Sequence, residues 1–279
     1  MNVLTIMGGP RKGYGTIVME QIEKKLKSLA PDMKFEYLYL KDVHLESCVG
    51  CLNCFFVGED KCPFSDDDRD MIINKINEAD GIIFMAPVYA LNIPAVMKNF
   101  FDRLSYIFHR PCFFGKIAIG VSNRGIMGPH YVTDYFEEVA YSWGFNYVGG
   151  VDVVTQPGLE KKIIKKIWKT SKDFVDALQE MKYQKVTLGR LIAFTIRVAL
   201  HKIVDDEKNA DYAYWHDQGW LEAGKKYYVD VKVPFLKRVF AKLITKIAEK
   251  QLRKTFSAGG EATFKRFRKL ESLQFETIA

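Results

Sequence analysis

Val3-Leu4-Thr5-Ile6-Met7-Gly8-Gly9-Pro10-Arg11-Lys12-Gly13-Tyr14-Gly15-Thr16 decides the fold. Its first five residues are a short apolar, β-branched run suited to a strand. From Thr16 to Leu29 the spacing becomes helical: Ile17, Ile22, Leu26 and Leu29 share a face, with lysines elsewhere. Between the two lie four glycines, which let a backbone approach a ligand closely and turn its N–H groups inward. A helix N-terminus just beyond adds partial positive charge, suited to a phosphate dianion. Arg11 and Lys12 supply charge and donors and Thr16 a hydroxyl, and each charge-assisted bond contributes roughly 1.5–3 kcal/mol. The segment is neither GxGxxG nor GxxxxGK[ST], so the common dinucleotide and P-loop readings fail. The plain alternative is a glycine-rich turn that binds nothing.

Outward from this segment, strand and helix patterns alternate. Phe35–Leu40 reads as a second strand, and Gly81–Ala86 as a third, apolar throughout as a strand buried on both faces should be. Ile117–Ser122 and Val148–Val154 (or from Asn146) complete a set of five. Helices are expected from Met71 to Ala79 behind Asp66-Asp67-Asp68, from Pro94, over Tyr131–Trp143 and over Lys161–Glu180. Alternation of this kind implies a parallel sheet with helices on both faces. A phosphate-type loop after the first strand suits the flavodoxin-like order 2-1-3-4-5. The expected fold is therefore an α/β, flavodoxin-like domain over residues 1–182, followed by a basic, mostly helical extension over 183–279.

Composition narrows the function class. Hydrophobic residues at 48% and charged residues at 27% exclude a disordered chain. No apolar stretch is long enough for a spanning helix, and Met1-Asn2 runs into a strand without a basic leader, so a cytoplasmic location is expected. The net charge of +7 divides into −4 on residues 1–159 and +11 on residues 160–279. The positive charge follows helix faces and accompanies no nucleic-acid motif, which argues against a nucleic-acid partner.

Four further motifs give the chain a resemblance. The glycine loop is followed by a cysteine segment, by Asp66-Asp67, by Ala86-Pro87-Val88-Tyr89 and by Met97-Lys98-Asn99-Phe100-Phe101-Asp102-Arg103. In that order they resemble the NADPH-dependent FMN reductase family over about residues 1–180, including its GSPRKxGNT and sPvY…lK.fiDR stretches. Gly9 stands where the family often has Ser, and Tyr14-Gly15 replaces Gly-Asn. The resemblance implies an oxidoreductase that takes hydride from NAD(P)H onto FMN and delivers it to a small or protein acceptor, as a homodimer or higher oligomer. It implies an FMN site built on Gly9, Pro10, Arg11, Lys12, Gly13, Gly15 and Thr16 for the phosphate. Pro87, Val88, Tyr89 and Asn92 would meet one edge of the isoalloxazine ring. Ser122, Asn123, Arg124 and Gly125 would face the other edge, with Gly128 nearby. No catalytic side chain is expected, because the flavin carries the chemistry. Read from the residues alone, Tyr89 is a core or rim tyrosine, Arg124 a solvated surface charge and Asp102-Arg103 a helix-face ion pair of little worth.

Cys48, Cys51, Cys54 and Cys62 fall within fifteen residues as C-x2-C-x2-C-x7-C. The short gaps let thiolates converge on one [4Fe–4S] cube. Zinc and a set of free thiols are the alternatives. The pattern resembles the iron–sulfur flavoproteins, which implies a second reading: a one-electron carrier between protein partners. Cys112 reads as an inert buried thiol. The five histidines form no metal spacing.

In the extension, Pro234–Lys254 is amphipathic. Phe235, Leu236, Val239, Phe240, Leu243, Ile244, Ile247 and Ala248 form one stripe, and seven basic residues against Glu249 occupy the other side. Such a helix either lies on an anionic membrane surface or packs its stripe against protein. The aromatic run Tyr212–Trp220 either covers a pocket or forms the small core of the extension.

Overall fold

The computed structural model describes residues 1–125, 131–154, 160–180, 183, 186–204 and 206–257. The chain divides into two compact units, Met1–Gln184 and Lys185–Ala279.

The first unit holds a five-stranded parallel sheet: β1 (Asn2–Met7), β2 (Lys34–Tyr39), β3 (Gly81–Pro87), β4 (Ile117–Arg124) and β5 (Asn146–Val154). The strand order is β2-β1-β3-β4-β5, the flavodoxin-like order expected. Its helices are α1 (Tyr14–Leu29), the short α2 (Asn53–Phe56), α3 (Arg69–Glu78), α4 (Ala95–Arg103), α5 (Tyr131–Trp143) and α6 (Glu160–Glu180). Residue alternation along the strands divides the core in two. On β3, Ile82 and Phe84 face a cluster with Phe100, Phe101, Phe136 and Trp143 from α4 and α5. Ile83 and Met85 face the opposite cluster, with Met19, Ile22 and Leu26 of α1 and Phe174 of α6. With both faces covered, β3 is buried along nearly its whole length. The parallel arrangement brings the loops after β1, β2, β3 and β4 to the carboxyl edge of one sheet.

Helix α1 starts two residues before the expected Thr16, so Gly15 and Thr16 lie within its first turn. Gly8 is fixed by packing: a Cβ there would sit 2.7 Å from Met97 Cβ, the root of a fully buried side chain.

In the second unit α7 (Leu188–Val204), α8 (Ala210–Asp217) and α9 (Phe235–Ser257) are helical, as expected of the extension. The aromatic run forms its small core. Trp215 is fully buried, stacked on Phe194 at 5.9 Å and edge-on to Trp220 at 5.0 Å, and Trp220 Nε1 donates to the Tyr228 carbonyl.

Candidate functional site

The glycine loop opens onto a cleft of about 260 Å³ lined by Gly9 to Thr16, Met7, Tyr39, Met85, Pro87, Tyr89 and Asn123. Loops after β1, β3 and β4 therefore meet at one place. Gly13 is the N-cap of α1 and offers no side chain to bond the first-turn amides, and the first turn carries no acid. Such a helix end favours an anion through its free N–H groups and its dipole. Gly15 is needed for close approach, because a Cβ there would fall 2.6 Å from Met85 Cε and 3.4 Å from Asn123 Oδ1. Two polar atoms in this region are buried without a partner: Thr16 Oγ1 and Asn123 Oδ1. A buried, unsatisfied hydroxyl or amide oxygen costs about 1–3 kcal/mol, and a bound polar ligand would relieve it. The donors, helix end and orphaned atoms fit a phosphorylated ligand such as a flavin mononucleotide.

The expected ligand residues divide by strand parity. Asn123 lines the cleft, whereas its neighbours turn to the other face of β4. Ser122 is buried and donates to Asp152 Oδ1 at 2.7 Å. Arg124 is paired with Asp152 Oδ2 at 2.6 Å, with only 12% of its side chain exposed. The reading of Arg124 as a solvated surface charge is thereby corrected: β5 places a buried carboxylate beside it. Val88 packs on the core and donates its N–H to the Asn123 carbonyl, tying the β3 and β4 loops together. Gly125 is exposed, with nothing within 4 Å of a Cβ position, and Gly128 lies outside the described residues.

Tyr89 and Asn92 bond each other through both backbone pairs, closing a two-residue turn. Its central residues, Ala90 and Leu91, have φ of 48° and 67°. Left-handed backbone costs a residue with a side chain roughly 1–2 kcal/mol, and this turn carries two. The strain presents Tyr89, 44% exposed, at the mouth of the cleft. Asn92 spends its Oδ1 on the Ile93 N–H. Tyr39 lies within the expected second strand but is not among the expected ligand residues; it lines the cleft. It ends β2, the strand hydrogen-bonded beside β1, and Lys12 Nζ lies 4.9 Å from its ring centre. The signal for it was strand order, since the last residue of a neighbouring strand must flank the loop after β1.

The cysteine segment forms a second site. Cys48, Cys51, Cys54 and Cys62 line one small pocket together with Arg69, Arg103 and Tyr106. Gly50 and Leu52 alternate into the left-handed region, at φ of 65° and 64°, which curls the loop. Burial pushes the Cys54 thiol up; Arg110 opposes this, and the other three cysteines reinforce it. Among the described residues no three Cys, His, Asp or Glu side chains converge to hold a single metal ion. Four soft donors around one pocket match the ligand number of an iron–sulfur cube and of a tetrahedral zinc site alike.

Helix α4 grips this loop, and here a second expectation is corrected. Arg103 does not pair with Asp102, which Lys98 engages instead. Arg103 is buried and forks, Nη2 bonding Asp67 Oδ2 at 2.7 Å and the Phe64 carbonyl, Nη1 donating to Cys62 Sγ at 2.8 Å. Asp67 also accepts the Glu46 and Arg69 N–H groups, so it is a buried hub rather than only an acid near a helix start. One turn earlier on α4, Asn99 accepts the Cys48 N–H and donates to the Leu45 and Glu46 carbonyls. Asn99 and Arg103 stand four residues apart, on one helix face, and hold the two ends of the cysteine segment. Arg110 holds the middle, donating to the Cys54 carbonyl and to Glu59. Cys112 reaches the surface instead of lying in the core, although partial burial and the nearby Glu59 carboxylate push its thiol up to about 12.

Comparison with known proteins shows the family. The sequence model of the NADPH-dependent FMN reductase family matches residues 1–157. An iron–sulfur flavoprotein of Archaeoglobus fulgidus is 30% identical over 228 residues, covering 79% of this chain and 100% of that protein. An iron–sulfur flavoprotein of Clostridioides difficile is 30% identical over 186 residues, covering 65% of this chain and 81% of that one. Among solved structures, azoreductase AzrA is similar at 18% identity, covering 64% of this chain and 100% of that one with a TM-score of 0.48. The chain belongs to the NADPH-dependent FMN reductase family, and so to the flavin-dependent oxidoreductases.

Proposed function

We propose that the chain is an NAD(P)H-dependent FMN oxidoreductase that passes electrons to a small or protein acceptor. The observation that carries this reading is the pair of orphaned buried atoms, Thr16 Oγ1 and Asn123 Oδ1, at a cleft headed by an uncapped helix end. Arg11, Lys12, Gly13, Gly15 and Thr16 hold the FMN phosphate, with Gly9 and Pro10 shaping the turn. Pro87 and Tyr89 flank the ring on one side and Asn123 on the other. When bound, FMN supplies the hydride-accepting chemistry. The chain's own residues bind and orient: Tyr89 offers an aromatic face and a hydroxyl at the mouth. Val88 fixes the spacing of the two ring-side loops through its bond to Asn123.

A second reading is favoured by the cysteine pocket. Cys48, Cys51, Cys54 and Cys62 would hold a [4Fe–4S] cluster, and the protein would then exchange single electrons with a protein partner. Arg103 is the positioning residue in that case, because it directs Cys62 and balances thiolate charge. The relatives named iron–sulfur flavoproteins support this reading by similarity.

Anaerobic titration of oxygen-protected protein with NADH and NADPH, with iron and sulfide assays, separates the two. Rapid flavin bleaching with little iron supports the reductase. Broad absorbance from a stoichiometric cluster, with no direct reduction by nicotinamide, supports the carrier. A protein without iron that is colourless and does not bind added FMN contradicts both.

A further inference from the structure

Helix α9 presents the wrong face to its neighbour for an ordinary amphipathic helix. It meets α7 and the segment leading into it with small and polar residues: Ala241 is fully buried, Thr245 bonds Thr195 of α7 at 2.6 Å, and Lys237 Nζ donates to the carbonyl of Val186, two residues before α7. These positions are four residues apart and define the inward face. The apolar stripe points away from them. Phe235, Val239, Phe240, Leu243, Ile244 and Ile247 are between 39% and 69% exposed. Small residues at these positions give the closer approach to α7.

Exposed large apolar side chains in one continuous row mark an interaction surface. Lys242, Lys246 and Lys250 follow one another at four-residue intervals along the edge of that row, all exposed, and Glu249 is the sole acid of the helix. We propose that α9 is a membrane-surface helix that lies in the plane of an anionic bilayer, with its stripe among the acyl chains and its lysines on the headgroups. The lysine row selects this occupant. A second copy laid stripe to stripe would bring two rows of like charge together, whereas anionic headgroups neutralise one. Among the described residues no helix is long and apolar enough to cross a membrane, so the helix lies on the surface rather than spanning it.

The test is co-sedimentation of the full chain with vesicles of phosphatidylcholine alone and of equal parts phosphatidylcholine and phosphatidylglycerol. The protein should pellet with the anionic vesicles, less so at high salt, and stay in solution with the neutral ones. Replacing Lys242, Lys246 and Lys250 by Gln should weaken partition by about five-fold per charge removed. Leu243→Ser with Ile247→Ser should abolish it and leave the melting temperature unchanged, since both side chains are already exposed. Failure to pellet with anionic vesicles overturns the proposal, as does equal pelleting by both variants. A dimer that the serine variant dissociates, without any vesicle binding, assigns the stripe to a second copy and likewise overturns it.

Discussion

The two sites at the carboxyl edge of the sheet are built by opposite means. The glycine cleft is made of backbone: a helix end without a side-chain cap, a glycine held close to Met85 and Asn123, and charged side chains left in solvent. The cysteine pocket is made of side chains from distant segments, with Arg69, Arg103 and Arg110 all buried and the Arg103–Asp67 pair almost fully enclosed. A backbone cradle binds a ligand whose charge arrives with it. A loop of thiols must be held in shape beforehand, and buried guanidiniums hold it through planar, directional bonds.

If that contrast is right, the largest effect comes from breaking the side-chain site. Arg103→Ala leaves Asp67 buried and unpaired, and should cost about 3–5 kcal/mol in chemical denaturation. Replacing both partners, Arg103→Met with Asp67→Leu, should cost less than the single change. Equal losses would show that the cost comes from the lost bonds themselves and not from an uncompensated Asp67 carboxylate.

At the backbone site the effect should fall on binding and spare stability. Thr16→Val keeps the shape and removes an orphaned hydroxyl, so folding should be unaffected or slightly improved. FMN affinity, read by quenching of flavin fluorescence, should weaken by roughly ten- to a hundred-fold, the worth of one charge-assisted hydrogen bond. Unchanged affinity would place the phosphate elsewhere.

Two glycines sharpen the point further. Gly8→Ala should destabilise by about 1–3 kcal/mol through overpacking on Met97. Gly13→Ala should cost less, about 0.5–1 kcal/mol by the same denaturation measurement: a Cβ there meets nothing within 4 Å, but alanine is a poorer N-cap than glycine. At the strained turn a small effect of the opposite sign is expected. Leu91→Gly relieves one left-handed residue and should raise stability by up to about 1 kcal/mol, less the entropy glycine loses on folding.

The same contrast explains what the sequence disclosed. The cleft is local: strand, glycines and helix start follow one another in fourteen residues, so spacing alone located it. The strand order came from alternation and handedness, which are also local. Arg103 and Arg124 were misread because a charged residue's fate depends on partners far along the chain. Arg103 bonds Asp67, thirty-six positions away, and Arg124 bonds Asp152, twenty-eight away. Neighbouring letters suggested Asp102 instead, a pairing the helix does not make. The i, i+4 spacing of Asn99 and Arg103 was visible, but nothing nearby said that a cysteine loop would cross that face. Strand parity could have separated Asn123 from Ser122 and Arg124, had the expected strand been carried two residues past Ser122 to Arg124.

The proposed role of the loop from Gly9 to Thr16 is to hold the phosphate of FMN. It is tested most directly by titrating flavin-free protein with FMN and, in parallel, with riboflavin. Saturable FMN binding at about micromolar dissociation constant or tighter is predicted, with riboflavin much weaker for want of its phosphate. Equal binding of the two, or no binding and no rise in melting temperature at high FMN, would contradict the account.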